Sequence, residues 1–333
     1  MILTKYLKII IPTSFYLRLK KQRDKVRCWL SYQSDFKRFW HYSHTEEGGG
    51  KNALAAKILA ASHIIERSFS LPHIRLGFGE EKIRAMIGML SRYEELGYNI
   101  DAMAYTNSLD VLREYFQYHK DKEYDLGTFG DDIQQVLPDS EKGAGYLTVT
   151  ATDLTEKARG DFRSCALSRY SVRTYGSKPV SEEKIRESME IARKTPSVCN
   201  RQSWNAYWIK SDDAKAKLIN LQNGLSGFGH QVDSFLIVTT DLCTFLKGGE
   251  RNQAFVDGGL YAMSLLYALH YVGLGACPCN WCMPPKSDQK LRDALDIGRN
   301  ENIIVVIAIG SLPDEVRVSK SVRKSVSDTI NIR

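Results

Sequence analysis

The sequence predicts an α+β protein in two parts: a helical N-terminal half, then a half in which helices and strands interleave. Three observations carry this. Apolar residues recur at helical spacing in three stretches before residue 120. β-Branched apolar runs of strand length, Ser234–Thr240 and Ile303–Gly310, appear only in the second half. The charged residues Lys120–Glu123 and the polar, glycine-containing stretch Asp139–Gly145 form a linker region between them. A length of 333 residues also exceeds the usual size of one domain. The expected units are 1–150, a helical extension of unknown role, and 151–333.

In chain order, the first helix is expected over Ala53–Arg67. A second spans Glu80–Leu96, where Ile83, Met86, Ile87 and Leu90 recur at helical spacing and Gly97 ends the run. A third covers Ser108–His119, with Leu109, Leu112 and Phe116 on one side. Between the first two, Leu71–Gly79 is rich in turn residues, and Thr45–Gly50 reads as a flexible join. Further on, Ser181 with Glu182 and Glu183 supplies an N-cap and an acidic first turn for a helix through Arg193. Asn205–Lys210 alternates as a strand does. Ala254–Val272 is apolar nearly all round, but Asp257, His270 and the Gly258-Gly259 pair argue for a helix buried in a core or a subunit interface rather than a membrane span. This order suggests an α+β or mixed-sheet domain.

Composition excludes some functions. Hydrophobic residues at 43% and charged residues at 26% suffice for a globular core. A net charge of +7 suits anionic ligands but is too dispersed for nucleic acid, and no zinc-finger or RNA-binding spacing is present. Seven cysteines, an odd number, point to reduced thiols in a cytoplasmic protein. Met1–Ile11 is apolar but broken by Lys5 and Lys8, so no signal peptide is expected. From Lys5 to Arg27, eight basic residues and one acid are interleaved with Leu7, Ile9, Ile10, Phe15, Tyr16 and Leu17. Such a segment either makes peripheral contact with an anionic membrane surface or docks on the protein itself, and the second is the simpler expectation.

The most informative stretch is Ser168-Arg-Tyr-Ser-Val-Arg-Thr-Tyr175. In an extended chain, Arg169, Ser171 and Arg173 fall on one face, presenting two fixed cations and a hydroxyl to an oxygen-rich anion such as a phosphate. No dinucleotide fingerprint accompanies it: Gly224-Leu-Ser-Gly-Phe-Gly229 precedes a strand instead of following one. Three further pieces follow in order. They are Pro196-Ser-Val-Cys-Asn-Arg-Gln-Ser-Trp204, the apolar helix ending in Gly273-Leu-Gly-Ala-Cys277, and Gly310-Ser-Leu-Pro313 followed by Lys320-Ser-Val-Arg-Lys324.

In this order and spacing the chain, from about Asp161 onward, resembles the FMN-dependent nitroreductase family. The resemblance implies a three-layer α/β sandwich with a mixed, mainly antiparallel sheet and a long central helix on which a homodimer forms, with two flavins at the dimer interface. It implies that Arg169 and Ser171 hold the phosphate and ribityl side of FMN, and that Arg173 reaches the pyrimidine edge. Asn200 is expected on the polar edge of the ring, with Pro196, Ser197 and Gln202 shaping the same wall. Arg323, with Lys324 or Lys320 as second cation, is expected on the phosphate. Ser203 stands where the family has a second proline, which leaves the backbone path there open. Tyr170 and the Cys277–Cys282 loop, including Pro278, are expected to shape the substrate face.

The implied activity moves a hydride from NAD(P)H through flavin N5 to a small electron-poor acceptor in a ping-pong scheme. No catalytic acid is named, because the cofactor carries the chemistry. Cys277, Cys279 and Cys282 match no standard metal spacing; buried structural thiols are favoured over redox-active or metal-binding ones. His63/Glu66 and His41/His44 lack a third ligand, so no metal is expected. The N-terminal half, on His63-Ile-Ile-Glu-Arg67 and Arg75-Leu-Gly-Phe-Gly79, resembles extensions of nitroreductase-like proteins encoded with bacterial surface-polysaccharide enzymes. This resemblance implies an alternative: a flavin-binding accessory or scaffold protein in polysaccharide biosynthesis with little or no turnover.

Overall fold

A computed structural model of the protein describes residues 12–42, 50–137, 146–245 and 248–333. The expected joins at 45–49 and 139–145, the segment Met1–Ile11 and His44 lie outside the described residues, as do the side chains of His41 and Asn200.

The N-terminal unit is helical. A long helix α1 (Thr13–Tyr42) precedes α2 (Lys51–Phe69), α3 (Glu80–Glu95), α4 (Met103–Asp121) and α5 (Thr128–Val136). The last four enclose a core of their own around Ile58, Ile65, Met86, Leu90, Leu112, Tyr115 and Ile133. The turn between α2 and α3 needs its glycines. Gly77 has φ +68, and a Cβ there would meet the Tyr124 hydroxyl at 2.8 Å. Gly79 caps α3 in the left-handed region. His119 closes this turn: its Nε2 accepts from Gly77 N–H at 2.9 Å while Nδ1 faces Tyr115 O at 2.8 Å. Of the basic segment Lys5–Arg27, the described part opens helix α1. Phe15, Leu17, Trp29 and Phe36 are exposed along it, and its main contact is with the short turn Gly248–Glu250.

The C-terminal unit is a sheet between two helical layers. Strand β1 (Tyr146–Thr150) leads into α6 (Ala151–Ala158), α7 (Phe162–Ser168) and α8 (Glu182–Ala192). Then come β2 (Trp204–Ile209), α9 (Asp212–Leu221), β3 (Ser234–Asp241), α10 (Gln253–Tyr271), β4 (Leu274–Asn280), α11 (Pro285–Leu295), β5 (Glu301–Ser311) and β6 (Glu315–Ser319). The main sheet runs β2-β3-β5-β4, and β1 pairs with β6 in a small ribbon. Every pairing among the described residues is antiparallel, so the expected mixed sheet is not seen within the chain.

Strand periodicity sorts the core into its two faces. Leu236, Val238, Ile307 and Ile309 point toward Tyr261, Leu265 and Leu269 of α10 and toward Ile185 of α8. Phe235, Ile237, Val306 and Ala308 point the other way, toward Leu218 of α9, Leu291 of α11 and Phe228. Strand β3, covered on both sides, is buried almost throughout, which explains its unbroken apolar run. The segment Cys277–Asn280, expected as a loop, is instead the end of edge strand β4, where Pro278 is tolerated because the edge leaves its nitrogen without a ladder partner to lose.

Helix α10 crosses this sheet closely because Gly258 has no side chain; a Cβ there would lie 2.5 Å from Ile304 Cγ1 and 2.9 Å from Thr240 Cγ2. Overpacking of this kind costs about 1–3 kcal/mol. Gly88 on α3 meets nothing within 4 Å, and replacing an exposed helical glycine by alanine gains about 0.5–1 kcal/mol. In urea denaturation, Gly258→Ala therefore lowers stability and Gly88→Ala raises it.

Candidate functional site

The Ser168–Tyr175 segment is extended and fastened at intervals. Asp161 caps α7 by accepting from Ser164 N–H at 2.7 Å, and Ser168 Oγ at its end meets His270 Nε2 at 2.9 Å. Val172 N–H then donates to Ala276 O at 3.0 Å and Gly176 N–H to Ser311 O at 2.9 Å, which lays the segment along the edge of β4. Tyr175 is buried, with its hydroxyl donating to Val172 O at 2.8 Å. Gly310 has to be glycine here, since a Cβ would sit 2.6 Å from the Tyr175 ring.

Arg169, Tyr170 and Ser171 line a cavity of about 340 Å³ together with Lys320, Ser321 and Arg323 from the segment after β6, and Met263 and Tyr267 from α10. The first and last of the four sequence motifs thus meet, although more than 140 residues separate them in the chain. One guanidinium nitrogen of Arg169, Nη1, is buried without a hydrogen-bond partner. Burial, opposed mainly by the neighbouring Tyr267, pulls the Arg169 pKa down, and the nearby Arg323 charge adds to the fall. Among the described residues neither Arg169 nor Arg323 forms an ion pair; Arg323 instead donates to Ser321 O. The cavity wall thus carries three basic side chains, Arg169, Lys320 and Arg323.

Arg173 is buried and turned aside. Its Nη1 donates to Ser70 Oγ of the N-terminal unit at 3.3 Å and to Ser171 O at 3.4 Å, so it does not line the cavity with Arg169 and Ser171 as the alternation predicted. Cys277 and Cys279 lie buried on one face of β4. A hydrogen bond from Cys279 lowers the Cys277 pKa against the effect of burial, and Arg173, Arg67 and Arg169 reinforce this; Cys279, as the donor, is raised. All seven cysteines are free, Cys199 and Cys282 being exposed. Among the described residues no three His, Cys, Asp or Glu side chains gather as metal ligands.

The second motif stands elsewhere. Pro196–Gln202 forms a tight turn in which Ser197 Oγ accepts from Gln202 N–H at 2.9 Å, and Cys199 and Gln202 both take positive φ. Val198 N–H points at the buried Asp257 carboxylate, 3.3 and 3.4 Å from its oxygens. The path left open by Ser203 is thereby fixed: Ser203 is buried and its carbonyl accepts from Asp241 N–H at 2.8 Å. Asp257 and His270, the anchors of this turn and of Ser168, lie about 20 Å apart along α10 at 1.5 Å per residue. Pro196 lines a different cavity, about 650 Å³, with Phe162, Tyr267 and Tyr271. Ser197, Gln202, Cys277, Pro278 and Lys324 are not in the wall of the cationic cavity; of the two lysines weighed as second cation, Lys320 lines it.

Residues of α2 and Ser70 at its C-terminal end were not expected at this site. His63, Glu66, Arg67 and Ser70 reach the same region, and Arg67 Nε is buried with no partner. Burial lowers the His63 pKa, and the Arg173, Arg67 and Arg323 charges lower it further. The only sequence signal was their grouping on one helical face next to a turn, which says nothing about what that face meets.

A family model described as the Nitroreductase family matches residues 166–226. A Parabacteroides distasonis protein provisionally named NADH dehydrogenase/NAD(P)H nitroreductase is 22% identical over 51% of this chain and 96% of its own, with a TM-score of 0.45. A Staphylococcus epidermidis protein provisionally named NAD(P)H:FMN oxidoreductase is 20% identical over 52% of this chain and 96% of its own, at 0.47. A nitroreductase family protein of Streptococcus pneumoniae is 18% identical over 52% and 100%, at 0.46. No curated protein matches the chain.

His270 tests the electrostatics. Burial, then the Arg169 charge, pushes its pKa down to about 4. The unfolded chain binds this proton near pH 6.5 and the folded one does not. Stability is thus greatest above pH 6.5 and falls as pH drops toward 4. Chemical denaturation across that window gives a flatter profile for His270→Gln.

Proposed function

We propose that the protein is an oxidoreductase that binds FMN, takes electrons from NAD(P)H and passes them to a small electron-poor acceptor. The observation that carries this is the cavity walled by Arg169, Ser171, Lys320 and Arg323, with the buried Arg169 Nη1 left without a partner. Guanidinium groups match phosphate oxygens in fork geometry, and a buried donor without an acceptor costs free energy that an anion recovers. The family match over 166–226 covers Arg169–Arg173 and the Pro196–Gln202 turn. Of the residues that wall the cavity, Arg169, Ser171, Lys320 and Arg323 fit the phosphorylated end of FMN.

In this reading Arg169 and Arg323 hold the phosphate, Ser171 bonds the ribityl hydroxyls, and Tyr170 and Tyr267 shut water out beside them. Arg173, buried and cationic, favours the negative charge that a reduced isoalloxazine carries. When bound, FMN supplies hydride acceptance from a nicotinamide and donation to the acceptor, a chemistry that needs no protein acid.

The working unit in this reading is a homodimer. The Pro196–Gln202 turn and the Arg169 segment are fastened near opposite ends of α10, so one chain does not unite them. Two copies of α10 packed antiparallel about a two-fold axis would set one chain's turn beside the other's cationic cavity. Phe255, Val256, Leu260 and Tyr271 leave an exposed apolar face on this helix that such a pairing would cover.

Charge-assisted hydrogen bonds contribute about 1.5–3 kcal/mol, so Arg169→Ala and Arg323→Ala each weaken FMN binding by roughly tenfold or more, read by fluorescence titration. Anaerobic mixing of the flavin-loaded protein with NADH or NADPH bleaches the flavin absorbance. A protein that takes up no FMN removes the proposal; one that binds FMN but is not bleached is the non-catalytic flavin-binding alternative. Sedimentation separately reads the assembly: Leu260→Arg yields monomers that have also lost FMN.

A further inference from the structure

The end of α2 is fastened to both walls of the cationic region. On one side Ser70 Oγ accepts from Arg173, and Thr174 Oγ1 donates to Ser70 O at 3.4 Å. On the other, Ser321 N–H donates to Glu66 Oε1 at 2.9 Å and Ser319 Oγ to Glu66 O at 3.4 Å. Leu71, just beyond, packs against Gly227, where a Cβ would sit 3.2 Å from its Cδ1. These contacts grip the two segments that carry Arg173 and Arg323, so the N-terminal unit forms part of the site's wall.

Charge there is out of balance. Arg67, Arg169, Arg173 and Arg323 act on one another or on the same neighbours, and Glu66 is the carboxylate among them. Burial raises the Glu66 pKa, and one of its oxygens already accepts from Ser321 N–H. Arg67 has its Nε buried without an acceptor, and it forms no ion pair among the described residues. Ser70, whose hydroxyl donates to Arg67 O at 2.8 Å and accepts from Arg173 at 3.3 Å, ties the end of α2 that carries Arg67 to Arg173. Arg173 is buried but bonded to Ser70 and Ser171, whereas Arg67 and Arg169, half-buried, each keep one buried guanidinium nitrogen without an acceptor, and a buried donor left unpaired costs free energy that an anionic oxygen recovers.

We propose that the N-terminal unit completes the flavin site, with Arg67 supplying beside Arg173 a second guanidinium for the anionic pyrimidine edge of reduced FMN. The inference rests on the FMN reading above and gives the helical extension a task in it. A cation placed where charge appears only on reduction binds the reduced form more tightly than the oxidised one, and so raises the midpoint potential. A residue that merely bolted the two units together would affect both forms alike.

The test uses the full-length protein and FMN, with two readouts: the dissociation constant of oxidised FMN, and the midpoint potential against a reference dye. Arg67→Met weakens binding of reduced FMN about tenfold more than that of oxidised FMN, a fall of about 30 mV for the two-electron couple. Arg67→Lys restores most of the potential. Should the methionine variant fail to fold, Arg67→Gln is read in the same way. An unchanged potential in Arg67→Met or Arg67→Gln overturns the assignment, whether oxidised FMN binds normally or more weakly. A wild-type protein that binds no FMN overturns the flavin reading itself, and the two failures are thereby told apart.

Discussion

Guanidinium groups crowded into one partly dry region repel one another, and this repulsion is the constraint the surrounding structure has to hold. Arg169 is kept in place by Ser168 on His270 and by Val172 on the edge of β4. Arg173 is kept in place by Ser70, from a unit that folds around a separate core. Arg323 follows β6, whose pairing with β1 fixes where the C-terminal segment starts. None of these positions is favourable by charge alone. They persist because the sheet, α10 and the end of α2 hold the backbone that carries them.

Helix α10 gives the region its geometry. Its inner side is core, held close to the sheet by Gly258, and its two buried polar residues are used as fasteners. Asp257 receives the Pro196–Gln202 turn and His270 receives the end of α7. Both polar residues weighed against a membrane span in the sequence, and among the described residues no helix is long and apolar enough to cross one. The same helix therefore explains why two motifs expected around one ligand stand apart in a single chain. It also carries an exposed apolar face at Phe255, Val256, Leu260 and Tyr271.

Local patterning made much of the fold legible. The Ser181 cap, the Gly97 stop and the runs at Ser234 and Ile303 identify elements whose bounds differ from the observed ones by a residue or two, because these signals act within a turn or a strand. The alternation of Arg169 and Ser171 likewise survived into the cavity wall. Strand β1 and the β4 path of Cys277–Asn280 were not legible. The first is a short strand whose existence depends on β6, and the second carries a proline that reads as a loop unless the edge position is known. Lys320 and Lys324 offer the same charge four residues apart, so only the backbone after β6 decides which reaches the cavity.

The sequence by itself determined the elements with strong local signals, among them the helices at Glu80, Ser181 and Ala254 and the strands at Ser234 and Ile303, and the cationic character of the Arg169–Arg173 segment, since periodicity, caps and guanidinium chemistry are properties of neighbouring residues. Only the tertiary structure decided that Arg173 turns toward Ser70, that the Pro196 turn sits near the far end of α10, and that Arg67 joins the cationic region. Each of these depends on contacts between segments far apart in the chain, and a side chain's partner across such a contact is set by how whole layers pack, which no local pattern encodes.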